Sequence, residues 1–518
     1  MIFQIFILPV SSGLLYWLSS QAFSFPLLVW ICLVPFGLSL YRSTPRKGLA
    51  SGFVCGFVFW FLGVWWLKIN LINLVGLPPW QAWGWTVVFC AYHAVPYAIF
   101  GCLAARFHWL ERPLGPLLAA ALLVVMRIWY PAVFPGNEAH NLSELPLLIQ
   151  VLDLGGVPLL LFIVYLVNFL IMRALLCWRE KTSPVPALVA VAIIFTLLIS
   201  YGGYRLHDLH QKMQQAPDRQ QISIISVQPN APVNQAIPDV PPEDIKNNMT
   251  TALALCRTAS LWHPEAELIV LPEQPAGYLC SDVVARDLPH LIKDTGMAVM
   301  TPCAGTVDDT NRFYYNSVAY LDKNGVIAEE YRKNILVPFG EYIPLEARFP
   351  FLRRLFPGVM PFKPGEKTLL YDLGKGRQGI PALCYEAVFT GHVRRFVEHG
   401  GTVLLNMVDD AWFGKTKASK IHLSLAMYRA VEYRIPLVRV TNSGVGVFVQ
   451  ATGEIVPGSK TPLFQKSITS ARLFIPEKRS PYSHWGDLFL YGLTVLSVVS
   501  VGWEFYVYYK RKELPCKT

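Results

Sequence analysis

Cys384 stands where a nucleophile would. The segment Gln378-Gly-Ile-Pro-Ala-Leu-Cys-Tyr-Glu386 reads as a β-strand that stops abruptly, with a carboxylate two places beyond the thiol and a helix-like stretch, 387–399, after it. A strand-to-helix turn exposes the sulfur, and a helix N-terminus favours thiolate. Taken alone, a cysteine of this kind is more often a buried structural residue. Two further side chains bear on it. Glu273 ends the strand-like run Glu267-Leu-Ile-Val-Leu-Pro-Glu273, and Lys333 follows a hairpin in Tyr331-Arg-Lys-Asn-Ile-Leu-Val-Pro-Phe-Gly-Glu341. Each, by itself, is more often a solvated surface charge. In a layered α/β domain, however, sites gather beyond the carboxyl ends of strands, so all three can meet in one crevice.

The elements that must position them lie in a stretch of ordinary globular composition, 204–485. Strands are expected at 222–228, 267–273, 297–303, 378–384, 402–408, 436–441 and 445–450, with helices at 243–262, 282–295, 387–399 and 419–433. Tyr314–Leu321 and Val326–Tyr331 read as a hairpin across Asp322-Lys-Asn-Gly325. Strands alternating with helices over about 250 residues imply an α/β layered domain.

The rest of the chain is different. Over 518 residues, 53% are hydrophobic and only 15% charged, which is too apolar for one soluble domain. Apolar runs of spanning length fall at 3–20, 23–41, 50–68, 83–105, 114–134, 155–176, 184–203 and 487–509. The expected organisation is a seven-span transmembrane domain (1–203), a catalytic domain (204–485), and a last span with its tail (486–518). Arg42, Arg46 and Lys47 follow the second run, Arg106 and Arg112 the fourth, Arg173, Arg179 and Lys181 the sixth, and Lys510, Arg511 and Lys512 the eighth. The loop 135–153 carries Glu138, Glu144 and Asp153 and no Lys or Arg. By the positive-inside rule both termini are cytoplasmic and the globular domain lies on the outer face. The net charge of +10 therefore reads as topology and headgroup contact, with no nucleic-acid footprint. No chain of intramembrane carboxylates points to transport. The cysteines show no CxxC and no metal-ligand spacing, and no metal or other cofactor is expected; Cys280 and Cys303 are candidates for pairing if the domain is exported.

Together, Leu271-Pro-Glu273, Tyr331-Arg-Lys333 and Cys384-Tyr-Glu386 resemble the Glu-Lys-Cys triad of the nitrilase (carbon–nitrogen hydrolase) superfamily. Val337-Pro-Phe-Gly-Glu-Tyr-Ile-Pro344 and Asp410-Ala-Trp-Phe-Gly414, with several spans before the domain and one after, are similar to the apolipoprotein N-acyltransferase family of bacterial lipoprotein maturation. Gly52, Gly56 and Gly63 fit a glycine pattern of that family. The resemblance implies an αββα sandwich on the periplasmic side of the inner membrane, a phospholipid acyl donor and a diacylglyceryl-modified apolipoprotein acceptor. Glu273 would be the general base, Lys333 the oxyanion partner and Cys384 the residue that carries the acyl chain as a thioester.

Supporting roles follow from the same likeness. Glu341 would position Lys333 or the thiol, Glu386 would orient the active-site loop, Tyr385 would line the acyl pocket, and Trp412 and Phe413 would form an apolar gate. For each, the plain alternative is a loop carboxylate or a core aromatic. The aromatic loop 339–360 could dip into the headgroup layer as a lid. The chain departs from the family at Val408-Asp409-Asp410, at Phe134-Pro135-Gly136, at Val124 and in 229–245, which lacks an expected tryptophan. These changes bear on acceptor and lipid binding, leaving the triad intact. The competing reading is a membrane-tethered nitrilase-type amidase acting on a small amide or nitrile.

Overall fold

The computed structural model describes residues 3–20, 25–232, 242–273, 286–308, 313–359 and 362–513. Cys280 and its pairing, Met360 and residues 233–241 of the stretch lacking tryptophan lie outside them. The chain forms two compact units: Met1–Trp65, Gly84–Tyr204 and His484–Thr518 make one, Trp66–Trp83 and Arg205–Ser483 the other.

In the helical unit, apolar helices fall at each of the eight expected positions. Five are long and apolar enough to cross a membrane: Pro45–Val64, Pro79–Phe107, Leu152–Arg179, Val185–Gln214 and Leu488–Lys510. Phe3–Ser19, Pro26–Leu40 and Gly115–Trp129 are shorter. The second run is broken: a 3-10 turn, Pro26–Trp30, precedes the helix Val34–Leu40. Asn168 fills the break, donating to Val29 O at 2.9 Å and accepting from Leu33 N at 2.8 Å, so the freed backbone groups stay bonded in an apolar setting. Two acids of the 135–153 loop are buried. Glu138 accepts from the Tyr97 and Tyr165 hydroxyls (2.5 and 2.7 Å), and Asp153 from Tyr201 (2.6 Å), partners that burial of a carboxylate demands.

Gly48, Gly52 and Gly56 recur every fourth residue along the helix Pro45–Val64 and let its backbone meet the helix Pro79–Phe107. A Cβ on Gly52 would lie 2.0 Å from Tyr97 O, and one on Gly48 2.2 Å from Gly101 O. Gly63, though part of the family pattern, meets nothing within 4 Å.

The second unit holds two sheets, ordered β11-β1-β2-β3-β4-β5 and β10-β9-β8-β7-β6. In chain order these strands are β1 (Gln221–Gln228), β2 (Leu268–Val270), β3 (Ala298–Asp308), β4 (Phe313–Leu321), β5 (Tyr331–Arg332), β6 (Tyr371–Asp372), β7 (Gln378–Leu383), β8 (Val403–Val408), β9 (Leu437–Thr441), β10 (Val447–Val449) and β11 (Ser467–Phe474). Strand alternation separates the two faces of the first sheet. Ile224, Val270 and Met300 join a core shared with Ile380, Leu404 and Val438 of the second sheet. Ile225, Ile269 and Val299 face the other way, onto Ala252, Cys256 and Leu291 of the helices Pro242–Trp262 and Leu288–Thr295. The helices Thr390–Glu398 and Ala418–Tyr433 bring Val393, Phe396 and Met427 to the second sheet. The result is the αββα layering that the resemblance implies.

Several boundaries differ from the sequence reading. The second hairpin strand shrinks to β5, with only an isolated bridge between Leu321 and Ile327, and Val326 and Ile327 are exposed. β11 goes unanticipated because its burial does not alternate cleanly, yet it pairs antiparallel with all of β1. Trp66–Trp83 belong to this unit although they lie between two apolar runs. Leu71, Val75, Leu77 and Ala82 form a small core with Ile343, Phe356 and Val359, and a Cβ on Gly358 would lie 2.4 Å from Val75 O.

Gly52→Ala should therefore destabilise the helical unit by about 1–3 kcal/mol through overpacking. Gly63→Ala should be neutral or slightly stabilising, since an added helical Cβ there meets open space. Thermal melting of the detergent-solubilised variants checks the contrast, and equal midpoints would contradict it.

Candidate active site

β7 delivers Cys384 and stops there, because Cys384 takes φ +48°, a left-handed conformation that a residue with a Cβ seldom adopts. A single 3-10 turn, Cys384–Val388, follows, and the α-helix begins only at Thr390. The expected helix N-terminus at the thiol is thus absent. The thiol is correspondingly pushed well above its ordinary range, first by burial and then by Glu273, against the pull of Lys333. The sulfur therefore rests as a thiol.

Two of the three predicted residues, Glu273 and Lys333, meet, and both act electrostatically on the third, Cys384: Lys333 Nζ lies 3.8 Å from Glu273 Oε1 and 2.7 Å from Glu341 Oε1. Lys333 is 1% exposed and both carboxylates are largely buried. Burial raises the Glu273 carboxyl; Lys333 opposes the rise and the like charge of Glu341 adds to it. Burial alone would lower Lys333, but Glu341, Glu273 and Cys384 outweigh it and hold the ammonium above the usual lysine range. One cation therefore serves two acids and acts electrostatically on the sulfur.

Sequence reasoning missed Asn316. Its Nδ2 donates to Glu273 Oε1 (2.6 Å) and Glu341 Oε1 (3.1 Å), while its backbone carbonyl accepts from Lys333 N (2.8 Å). The available signal was an asparagine inside the apolar strand pattern of β4, where that residue type is disfavoured. Glu341 also accepts from Val337 N at 2.8 Å, which closes its own loop.

Glu386 ties the Lys333 loop to the end of β7. Its Oε1 accepts from the Tyr331 hydroxyl (2.8 Å), Asn334 N (2.6 Å) and Ile335 N (3.1 Å); Oε2 accepts from Leu383 N (2.8 Å). Burial pushes this carboxyl up to about 7 against those donors and Lys333. Tyr385 is buried with its ring edge-on to Phe389 at 4.6 Å. Trp412 and Phe413 ride a half-buried 3-10 turn, Ala411–Phe413. Phe413 meets the Trp66 ring at 5.0 Å, and Asn73 Nδ2 donates to Trp412 O at 3.5 Å, so the turn leans on the Trp66–Trp83 segment. In the loop 339–359, Phe356 turns inward, whereas Leu345, Phe349, Phe351 and Leu355 are exposed. Arg353 is engaged by Glu346 through two 2.7 Å bonds. Asp409 is buried, and burial raises its carboxyl well above the ordinary range. No group of three or more metal-ligating side chains occurs among the described residues.

Residues 12–170 match the family model described as the apolipoprotein N-acyltransferase N-terminal domain, and residues 226–474 match that of carbon-nitrogen hydrolases. A Geobacter metallireducens protein named apolipoprotein N-acyltransferase is 31% identical over 497 residues, covering 93% of this chain and 92% of that protein. One of the same name from Haemophilus influenzae is 27% identical, covering 95% and 93%. An amidase from Nesterenkonia sp. is 20% identical over 52% of this chain and 95% of its own, with a TM-score of 0.36.

Replacing the Glu386 carboxylate by an amide sets an NH2 against a bonded donor. Glu386→Gln should cost about 2–3 kcal/mol, as buried polar groups left unsatisfied do. The exposed Glu398→Gln should cost little. Melting midpoints of the two variants decide, and a match between them would refute the tie.

Proposed function

Because this chain belongs to the apolipoprotein N-acyltransferase family, we propose that it carries an acyl chain from a phospholipid, through a thioester on Cys384, to the N-terminal amine of the diacylglyceryl-cysteine of apolipoproteins. The chain is an acyltransferase. What supports this route is a resting thiol beside a buried carboxyl of raised pKa and one buried ammonium.

In the first half-reaction Glu273 takes the thiol proton as the sulfur attacks the ester carbonyl. Lys333 stabilises the tetrahedral oxyanion as a fixed charge. The C–O bond then breaks, the leaving alkoxide takes the proton from Glu273, and a lysophospholipid departs. In the second half-reaction the acceptor amine attacks the thioester, Glu273 accepts the amine proton, and the sulfur leaves and recovers it. Glu341 holds Lys333 in place; Glu386 holds the loop that carries it. Tyr385 lines the acyl pocket, and Trp412 and Phe413 gate it. The exposed aromatics of the 339–359 loop reach the headgroup layer.

The reading places 1–203 as seven spans, 204–485 as the catalytic domain and 486–518 as a last span with its tail. Both termini are cytoplasmic and the catalytic domain is on the periplasmic face of the inner membrane, as the Lys/Arg bias supports.

Exposure to phospholipid should add an acyl mass to the full-length protein and none to Cys384→Ala, and a diacylated lipopeptide should discharge it. Free fatty acid or ammonia as the main product would replace the transferase reading with a hydrolase. The base form of Glu273 is needed, so thioester formation should fall as pH drops through its pKa, with a midpoint above the ordinary 4.5 because that pKa is raised. Glu341→Gln removes one cause of the rise and should move this limb to lower pH in a stopped-time intact-mass series. An unmoved limb would argue against Glu273 as the base.

A further inference from the structure

We propose that Asn406 is a positioning residue for Cys384, holding the backbone turn of the nucleophile through its side-chain amide. The proposal rests on the reading of Cys384 as the acylated residue. Asn406 lies on β8, which runs parallel to β7 with Asn406 in register with Ala382. Its Nδ2 donates to Ala382 O at 3.2 Å and to Cys384 O at 3.1 Å. Its Oδ1 accepts from Arg439 Nη1 at 2.7 Å. A guanidinium only donates and a backbone carbonyl only accepts, so these partners fix which end of the amide faces the nucleophile.

Arg439 is itself oriented. Its Nη2 donates to Asp410 Oδ2 at 2.9 Å, and the same carboxylate accepts from the Ser419 hydroxyl (2.6 Å) and pairs with His422 Nδ1 (2.9 Å). Arg439, Ser419 and His422 hold the Asp410 carboxyl well below its usual range despite burial, so it stays charged against the arginine. All of these side chains are buried, and Asn406 and Arg439 are 0% exposed. The relay therefore runs from a fixed carboxylate through a fixed guanidinium to one amide, which ends on the carbonyl of Cys384.

That end point matters because of the strain at Cys384. A non-glycine residue at φ +48° is held there only by surrounding structure. Relaxing φ would swing the Cys384 carbonyl off Asn406 and turn the Cα–Cβ bond, and with it the thiol. The amide bonds carbonyls on both sides of the strand end, at Ala382 and Cys384, so it resists that rotation. Among the described residues Asn406 makes no bond to Glu273, Lys333 or Glu341, so it acts through the nucleophile's backbone.

Two substitutions separate the effect from general damage. Asn406→Asp keeps the size and the Arg439 contact but sets a carboxylate oxygen against two carbonyls; Asn406→Ala removes the amide without adding charge. Full-length protein in mixed micelles of phosphatidylethanolamine and phosphatidylglycerol is followed by intact mass for thioester formation across lipid concentrations. Iodoacetamide alkylation of Cys384 is followed without lipid. Both variants should form thioester about 100-fold more slowly at saturating lipid, the scale of a misplacement near 1 Å. The half-saturating lipid concentration should stay the same, and alkylation should slow in parallel. Wild-type rates in folded Asn406→Ala, or losses in both variants that only track their folded fraction, would overturn the proposal. Should Asn406→Asp not fold, Asn406→Ala decides alone. If the wild type itself forms no thioester, the transferase reading fails, while the alkylation rates still decide the role of Asn406.

Discussion

One buried ammonium is the constraint on which the site depends. Lys333 stands between Glu273 and Glu341, which share Asn316 and would otherwise be two like charges out of water. Without the cation the two buried carboxylates would face each other unpaired, which favours their protonated forms. The loop of Lys333 is held in turn by Glu386, whose four accepted bonds also reach the strand end beside Cys384. A single carboxylate thus couples the position of the cation to that of Cys384. Burial raises the thiol rather than lowering it, so the site stores no thiolate.

Much of this was legible beforehand, and the reason is the same at each residue. Glu273, Lys333 and Cys384 each read alone as a surface charge or a structural cysteine, and it is the three short motifs Leu271-Pro-Glu273, Tyr331-Arg-Lys333 and Cys384-Tyr-Glu386 taken together that single them out. The residues that sequence reading missed sit inside patterns. Asn316 and Asn406 occupy strand interiors, where one polar side chain among apolar ones looks like noise until its partners are known. The assumed helix N-terminus failed because a 3-10 turn and a helix share composition, and only backbone geometry separates them. Glu138 and Asp153 count as loop charges by position, yet tyrosine hydroxyls from distant helices take them inside.

The two units follow different packing rules. In the helical unit glycines bring backbones to within contact, since apolar side chains alone give helices in lipid little reason to choose partners. In the catalytic unit the alternating strand faces do that work, with one face given to the second sheet and the other to helices. The 339–359 loop is neither: Phe356 is clamped while Phe349 and Phe351 are left outside.

The clamp has a consequence for how the protein is made. Leu71, Val75, Leu77 and Ala82 emerge from the ribosome early, whereas Ile343, Phe356 and Val359 come after most of the helices and half of the sandwich. During that interval the first half of this small core has no counterpart, and closing it joins parts far apart in the chain, a slow step in any folding sequence. A chain interrupted before residue 343 therefore leaves that apolar stretch without the partners it packs on in the finished fold.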